Sequence, residues 1–97
     1  MQDKSKGAGE DACATTASED DRDQSAVLHE VLYIYPEQMT LEELVRAMTT
    51  INASDFCGRD RIERAVRDLI AVGLLHRVGE LVLPTRAAVR FYTLELA

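Results

Sequence analysis

Four closely spaced arginines, Arg59, Arg61, Arg64 and Arg67, open the run RDRIERAVRDLIAVGLLHRVGELVLPT at residues 59–85. A guanidinium is a planar, permanently charged fork of donors. It suits acceptors that come in pairs, such as carboxylates, phosphates or the O6 and N7 edge of guanine. Asp60, Glu63 and Asp68 are interleaved with these arginines. The run therefore fits either recognition of an external anion or a helix surface neutralised by its own carboxylates. At about 100° per residue, Arg61, Arg64 and Arg67 project away from an apolar stripe of Ile62, Val66, Leu69 and Ile70. Arg59 points partly sideways. The i,i+4 pairs Asp60–Arg64, Glu63–Arg67 and Arg64–Asp68 are each worth about 0.2–0.5 kcal/mol, and they cancel the charge of the outward face.

No other set of residues has the spacing that chemistry needs. There is no Ser-His-acid arrangement, no phosphate-binding glycine loop and no pair of carboxylates around a cleft. His29 and His76 are far apart, and the two cysteines, Cys13 and Cys57, have no zinc-site spacing. The chain reads as a non-enzyme with no cofactor, no metal and no visible pocket for a small-molecule effector. Both cysteines are expected as reduced thiols, because a disulfide from Cys13 would tether an unstructured segment. His29 is expected at the surface and His76 as a packed or edge residue of the hairpin.

The elements that would carry the arginines follow from periodicity and capping. Residues 1–24 hold no Val, Ile, Leu, Phe, Tyr or Trp and are expected as a disordered acidic tail. The domain is expected over 25–97. Val27, Leu28, Val31, Leu32 and Tyr35 fall at helical spacing, with Ser25 or Asp23 as the cap and Pro36 as the stop. Thr40 and Glu43 form a capping-box pattern, with Met39 and Leu44 placed as a hydrophobic staple. That second helix runs through Leu41, Leu44, Val45 and Met48. The link NASDFCG reads as a loop with Phe56 turned inward. A third helix over 59–72 stops at Gly73.

Beyond Gly73, LLHRV and ELVLP form a hairpin around Gly79-Glu80, in a type II′ turn. This pairing sets Leu74, His76, Val78, Leu81 and Leu83 on one face and Leu75, Arg77 and Val82 on the other, and a slip of one residue would exchange the faces. Thr85 caps a last helix, RAAVRFYTLEL, which is apolar on more than one side. Such a helix predicts a second partner surface beside the core, here another copy of the chain.

The net charge of −6 is unevenly spread. Residues 1–25 carry Lys4, Lys6 and Arg22 against seven acids, a balance of −4; residues 26–97 have eight arginines, no lysine and ten acids, a balance of −2. Nothing has the length of a membrane span or the apolar core of a signal peptide, so a cytoplasmic protein is expected.

The order helix, helix, helix, two-stranded hairpin, helix, with the step GLLHRVGELVLPT, resembles the winged-helix (winged helix-turn-helix) family. The fold class expected is mainly α with a small β-hairpin (α+β). The pair TLEELVRAM and RDRIERAVRDLIAVG resembles the helix-turn-helix unit, and the likeness spans residues 26–97. The resemblance implies a DNA-binding protein, in many members a bacterial transcriptional regulator. Arg59, Arg61, Arg64 and Arg67 would then read the major groove, and the wing would bring Arg77, with His76 beside it, to the backbone. Here the wing turn is short and carries Glu80, which phosphate would repel. The expected partners are double-stranded DNA and a second copy, paired through the C-terminal helix and helix one. A winged-helix protein-interaction module that binds no nucleic acid is the alternative.

Overall fold

The computed structural model describes residues 14–49 and 56–96. Its first helix, α1, spans Ala17–Ile34, with its N-cap at Thr16 and not at the expected Ser25 or Asp23. A capping box causes this. Thr16 is the N-cap: its hydroxyl accepts from the Glu19 amide, and the Glu19 carboxylate accepts from the Thr16 amide. Two otherwise unpaired backbone donors are thus satisfied, and Glu19 and Asp20 complement the positive end of the helix dipole. Residues 17–24 are therefore helical and not part of a disordered tail. At the other end Tyr35 is extended, with ψ of 136°, as a residue preceding Pro36 should be.

The second capping box forms as its sequence predicts. The Glu43 amide lies 3.0 Å from the Thr40 hydroxyl, and the Thr40 amide 2.9 Å from the Glu43 carboxylate. Helix α2 spans Leu41–Met48. The two residues before it, Met39–Thr40, form a short strand β1, which periodicity cannot register at that length. Helix α3 spans Phe56–Ala71, beginning three residues before Arg59. The expected inward turn of Phe56 and most of the NASDFCG link lie outside what is described.

Helix α3 ends in a Schellman motif. The Leu74 amide donates to the Leu69 carbonyl at 2.9 Å and the Gly73 amide to the Ile70 carbonyl at 3.1 Å. Gly73 has φ of +88°, a conformation that a side chain would strain. Strands β2, Leu75–Val78, and β3, Leu81–Pro84, then pair with Arg77 opposite Val82 and His76 opposite Leu83. Gly79 takes φ of +61° at the turn, as a primed hairpin turn requires.

The expected pairing of the hairpin holds, and the sheet has a third strand. β1 pairs antiparallel with β3, Met39 against Val82 and Thr40 against Leu81, giving the order β1-β3-β2. The Leu41 amide also donates to the Glu80 carbonyl at 3.0 Å, joining the start of α2 to the hairpin turn. Helix α4, Arg86–Leu96, follows Thr85, whose hydroxyl accepts from the Ala88 amide and donates to the Gly73 carbonyl at 2.8 Å.

The core is one cluster. Val27 and Val31 of α1 meet Leu44 and Val45 of α2, Ile62, Ala65, Val66 and Leu69 of α3, and Leu75 and Val82 of the hairpin. Met39 packs against this cluster, which includes Leu44. The hairpin thus buries its Leu75–Val82 face, and His76 is exposed on the opposite one, an edge residue on the outer strand β2 and not a packed one. The domain is mainly helical with a small three-stranded antiparallel sheet. No helix among the described residues is long and apolar enough to cross a membrane.

Candidate anion-binding face on helix α3

Helix α3 places its four arginines at the surface, but three of them are engaged by carboxylates. Arg59 is held between Glu42 of α2 and Glu63 of its own helix, at 2.6 and 3.2 Å. These hydrogen bonds, first from Glu42 and then from Glu63, raise the pKa of Arg59 above its ordinary value. The same bond from Arg59, with its charge, lowers the pKa of Glu42. Glu42 also lies 3.8 Å from Arg46. The pairs are solvent-exposed and screened by water and salt, so they add little to stability. Their consequence is geometric: they brace α2 against the start of α3.

Arg61 points to α1. Its Nε and Nη2 donate to the two carboxylate oxygens of Asp23 at 3.0 and 3.1 Å, a side-on fork. The bond to Asp23 raises the pKa of Arg61 against a smaller opposing effect of burial. Arg64 donates to Asp60 at 3.0 Å and to the Thr15 hydroxyl at 3.1 Å, with Asp20 at 3.8 Å. The Thr15 hydroxyl in turn donates to Asp20. Gln24 donates to Asp68 at 3.3 Å. The beginning of α1 therefore lies over one flank of α3, along the stripe Arg61, Arg64 and Asp68.

Of the three expected i,i+4 pairs only Asp60–Arg64 forms. Glu63 turns back to Arg59, where a second carboxylate already waits, and Asp68 accepts from Gln24. Arg67 is left exposed, with no ion-pair partner among the described residues. Sheet pairing brings Arg77 next to it. Both line a shallow groove of about 270 Å³, together with Leu41, Glu63 and Val66. Arg77 is on the hairpin face that turns towards α3, and it also donates to the Gly79 carbonyl at 3.2 Å.

The five arginines named from the sequence thus divide. Arg67 and Arg77 share one groove, Arg59 belongs to the α2–α3 brace, and Arg61 and Arg64 are covered by α1. Sequence reasoning missed Thr15, Asp20, Asp23 and Gln24 as parts of this face. Thr16 followed by Glu19 carries the same capping-box pattern as Thr40 and Glu43, but no apolar run follows it closely to mark a helix with a buried face.

Cys57, in the first turn of α3, is disulfide-bonded, contrary to the expected free thiol. The expectation assumed an unanchored N-terminal segment, whereas residues 15–24 are docked on α3. The sequence contains one other cysteine, Cys13. Among the described residues no cluster of His, Cys, Asp or Glu has the grouping to hold a metal ion. Two further clefts lie around α4. One, about 320 Å³, is lined by Tyr35, Pro84, Arg86, Val89, Arg90 and Thr93. The other, about 360 Å³, lies between α1 and α4, where His29 and Tyr92 meet at a ring separation of 6.5 Å. Compared with known proteins, the chain matches no family model, no curated protein and no solved structure.

Proposed function

We propose that this chain is a small winged-helix DNA-binding protein, a transcriptional regulator that presents α3 to the major groove. The observation that carries this reading is the state of the α3 arginines. Arg61 grips a two-oxygen anion in fork geometry, and that anion belongs to a helical segment that buries no side chain. A face that holds carboxylates in this way has the donors to hold phosphates or a guanine edge. The element order and the β1-β3-β2 sheet support the winged-helix reading, since β1 ties the α2–α3 pair and the hairpin together. Arg67 and Arg77 are the residues already open to a first contact. Helix α2, braced through Glu42 and Arg59, supports α3 from the side. Phe91 and Leu94 of α4, 63% and 55% exposed, suit pairing of two copies, and a roughly palindromic site with half-sites one helical turn apart would follow.

The test is a salt titration of binding to mixed-sequence duplex DNA. A regulator of this kind weakens steeply with salt, in proportion to the phosphates neutralised. Arg67→Glu with Arg77→Glu should abolish binding and leave the helical signal intact. No binding at low salt by either the oxidised or the reduced chain would overturn the reading.

A second reading has its own support. Glu80 stands at the tip of the hairpin, the chain carries −6, and α3 meets carboxylates at three of its four arginines. These favour a winged-helix protein-interaction module that docks through the apolar side of α4.

A further inference from the structure

The cleft of about 320 Å³ beside α4 contains two arginines, Arg86 and Arg90, and no acid lines it. The other two clefts each carry carboxylates: Glu63 in the groove of Arg67 and Arg77, and Asp21 with Glu95 between α1 and α4. The chain has 17 acids against 11 lysines and arginines, so cations without an acidic partner are the exception. Neither Arg86 nor Arg90 has an ion-pair partner among the described residues, in contrast to Arg59, Arg61 and Arg64. Both are exposed and stand one helical turn apart on α4. Their backbone is well anchored. Thr85, just ahead of Arg86, caps the helix, and it donates to the Gly73 carbonyl through its hydroxyl and to the Leu74 carbonyl through its amide. Tyr35 reaches the cleft from the C-cap of α1 and Pro84 from the end of β3. Three elements thus build the site, and no sequence spacing marks it. No residue of α3 lines it, and Phe91 lines the cleft between α1 and α4 instead.

We infer that this cleft is a binding site for a nucleoside monophosphate. A phosphomonoester carries a charge of about −1.5 to −2 at neutral pH and presents three acceptor oxygens. Two guanidinium forks match that charge and that geometry, whereas a lone carboxylate is satisfied by one. Beside them Tyr35 is 51% exposed, which leaves its ring open to stack on a flat base. Pro84 and Val89 add apolar contact. The Thr93 hydroxyl donates to the Val89 carbonyl at 2.9 Å, so its oxygen remains an acceptor for a ribose hydroxyl. The volume is at the small end of ligand sites, about 300–1,000 Å³, and suits one nucleotide better than two. The site stands apart from the α3 face and does not depend on the DNA reading.

The test titrates the full chain with AMP, adenosine and inorganic phosphate, following amide chemical shifts and binding heat. AMP should shift the amides of Tyr35 and of residues 85–93. It should bind roughly tenfold or more tightly than adenosine or phosphate, each of which fills only one part of the cleft. Arg86→Gln with Arg90→Gln should weaken AMP by roughly tenfold or more and leave adenosine unaffected. Tyr35→Ala should weaken AMP by roughly fivefold or more and leave phosphate unaffected. All three side chains are exposed, and circular dichroism should show the parent helical content in each variant. Absence of shifts around the cleft at millimolar AMP overturns the inference. So does AMP binding no tighter than adenosine or phosphate, or binding that survives loss of both arginines. Duplex binding that disappears in the double variant, with no AMP shifts in the parent, assigns the two arginines to DNA and overturns the site.

Discussion

Helix α1 docks its two halves by different physics. The half from Ser25 to Ile34 buries Val27, Val31 and Leu32 against the common core. The half from Ala17 to Gln24 buries none and is fastened by ion pairs and hydrogen bonds to Arg61, Arg64 and Asp68. Apolar burial is worth about 25 cal/mol for each Å² removed from water and is insensitive to moderate salt. Exposed ion pairs are worth about 0.2–1 kcal/mol each and are screened within about 8 Å at physiological ionic strength. One helix is thus a structural member at its C-terminal end and a flank held by polar contacts alone at its N-terminal end. Continuity of secondary structure says nothing about uniform stability.

The largest effect should come from the structural half. Val31→Ala deletes two methyl groups from a fully buried site and should cost roughly 2–3 kcal/mol, seen as a lower urea midpoint. That loss should be the same in 0.1 M and 1 M salt. A salt-dependent loss would mean that the two halves are not distinct. Next is the cap. Thr16→Ala removes the acceptor for the Glu19 amide and should cost the helix about 1 kcal/mol. Because the segment beyond it buries nothing, the effect should be confined to hydrogen exchange over 17–24. A matching drop in the global unfolding midpoint would show that the N-terminal half is part of the cooperative core.

The smallest effect concerns Glu42, the exposed partner of Arg59. Its folded pKa lies below its ordinary value of 4.5 because Arg59 hydrogen-bonds its charged form. In the folded chain it therefore holds its charge to lower pH than in the unfolded chain. Its stabilising contribution is complete above the unfolded value and disappears as the pH falls through the folded one. Glu42→Gln should flatten the acid limb of a stability-versus-pH curve below that value and change little at neutral pH. An unaltered acid limb would show that the α2–α3 brace contributes nothing.

Much of the architecture is legible in the residues because short-range physics dictates it. The Thr40–Glu43 box, Pro36, Gly73 and the Gly79-Glu80 turn each set a boundary through local sterics or local hydrogen bonds. The hairpin pairing follows from the two-residue turn. The strand β1 is not legible, since two residues carry no period and Met39-Thr40 is already explained as a staple and a cap. Which hairpin face is buried was also beyond local reasoning. Both faces are apolar, and contact with α3 selects Leu75 and Val82.

The sequence by itself determined that four arginines would lie on one helix, followed by a glycine stop and a hairpin. It also determined that acids would be interleaved with them, but not which acid each arginine would take. Glu63 is four residues from both Arg59 and Arg67, and periodicity cannot choose between them. Only the tertiary structure brought Glu42 to Arg59, Asp23 to Arg61 and Arg77 to the groove beside Arg67. Asp23 and Arg61 are separated by 38 positions, and nothing local relates them. Their meeting depends on how α1 crosses α3, which the buried Val27 and Val31 decide at a distance.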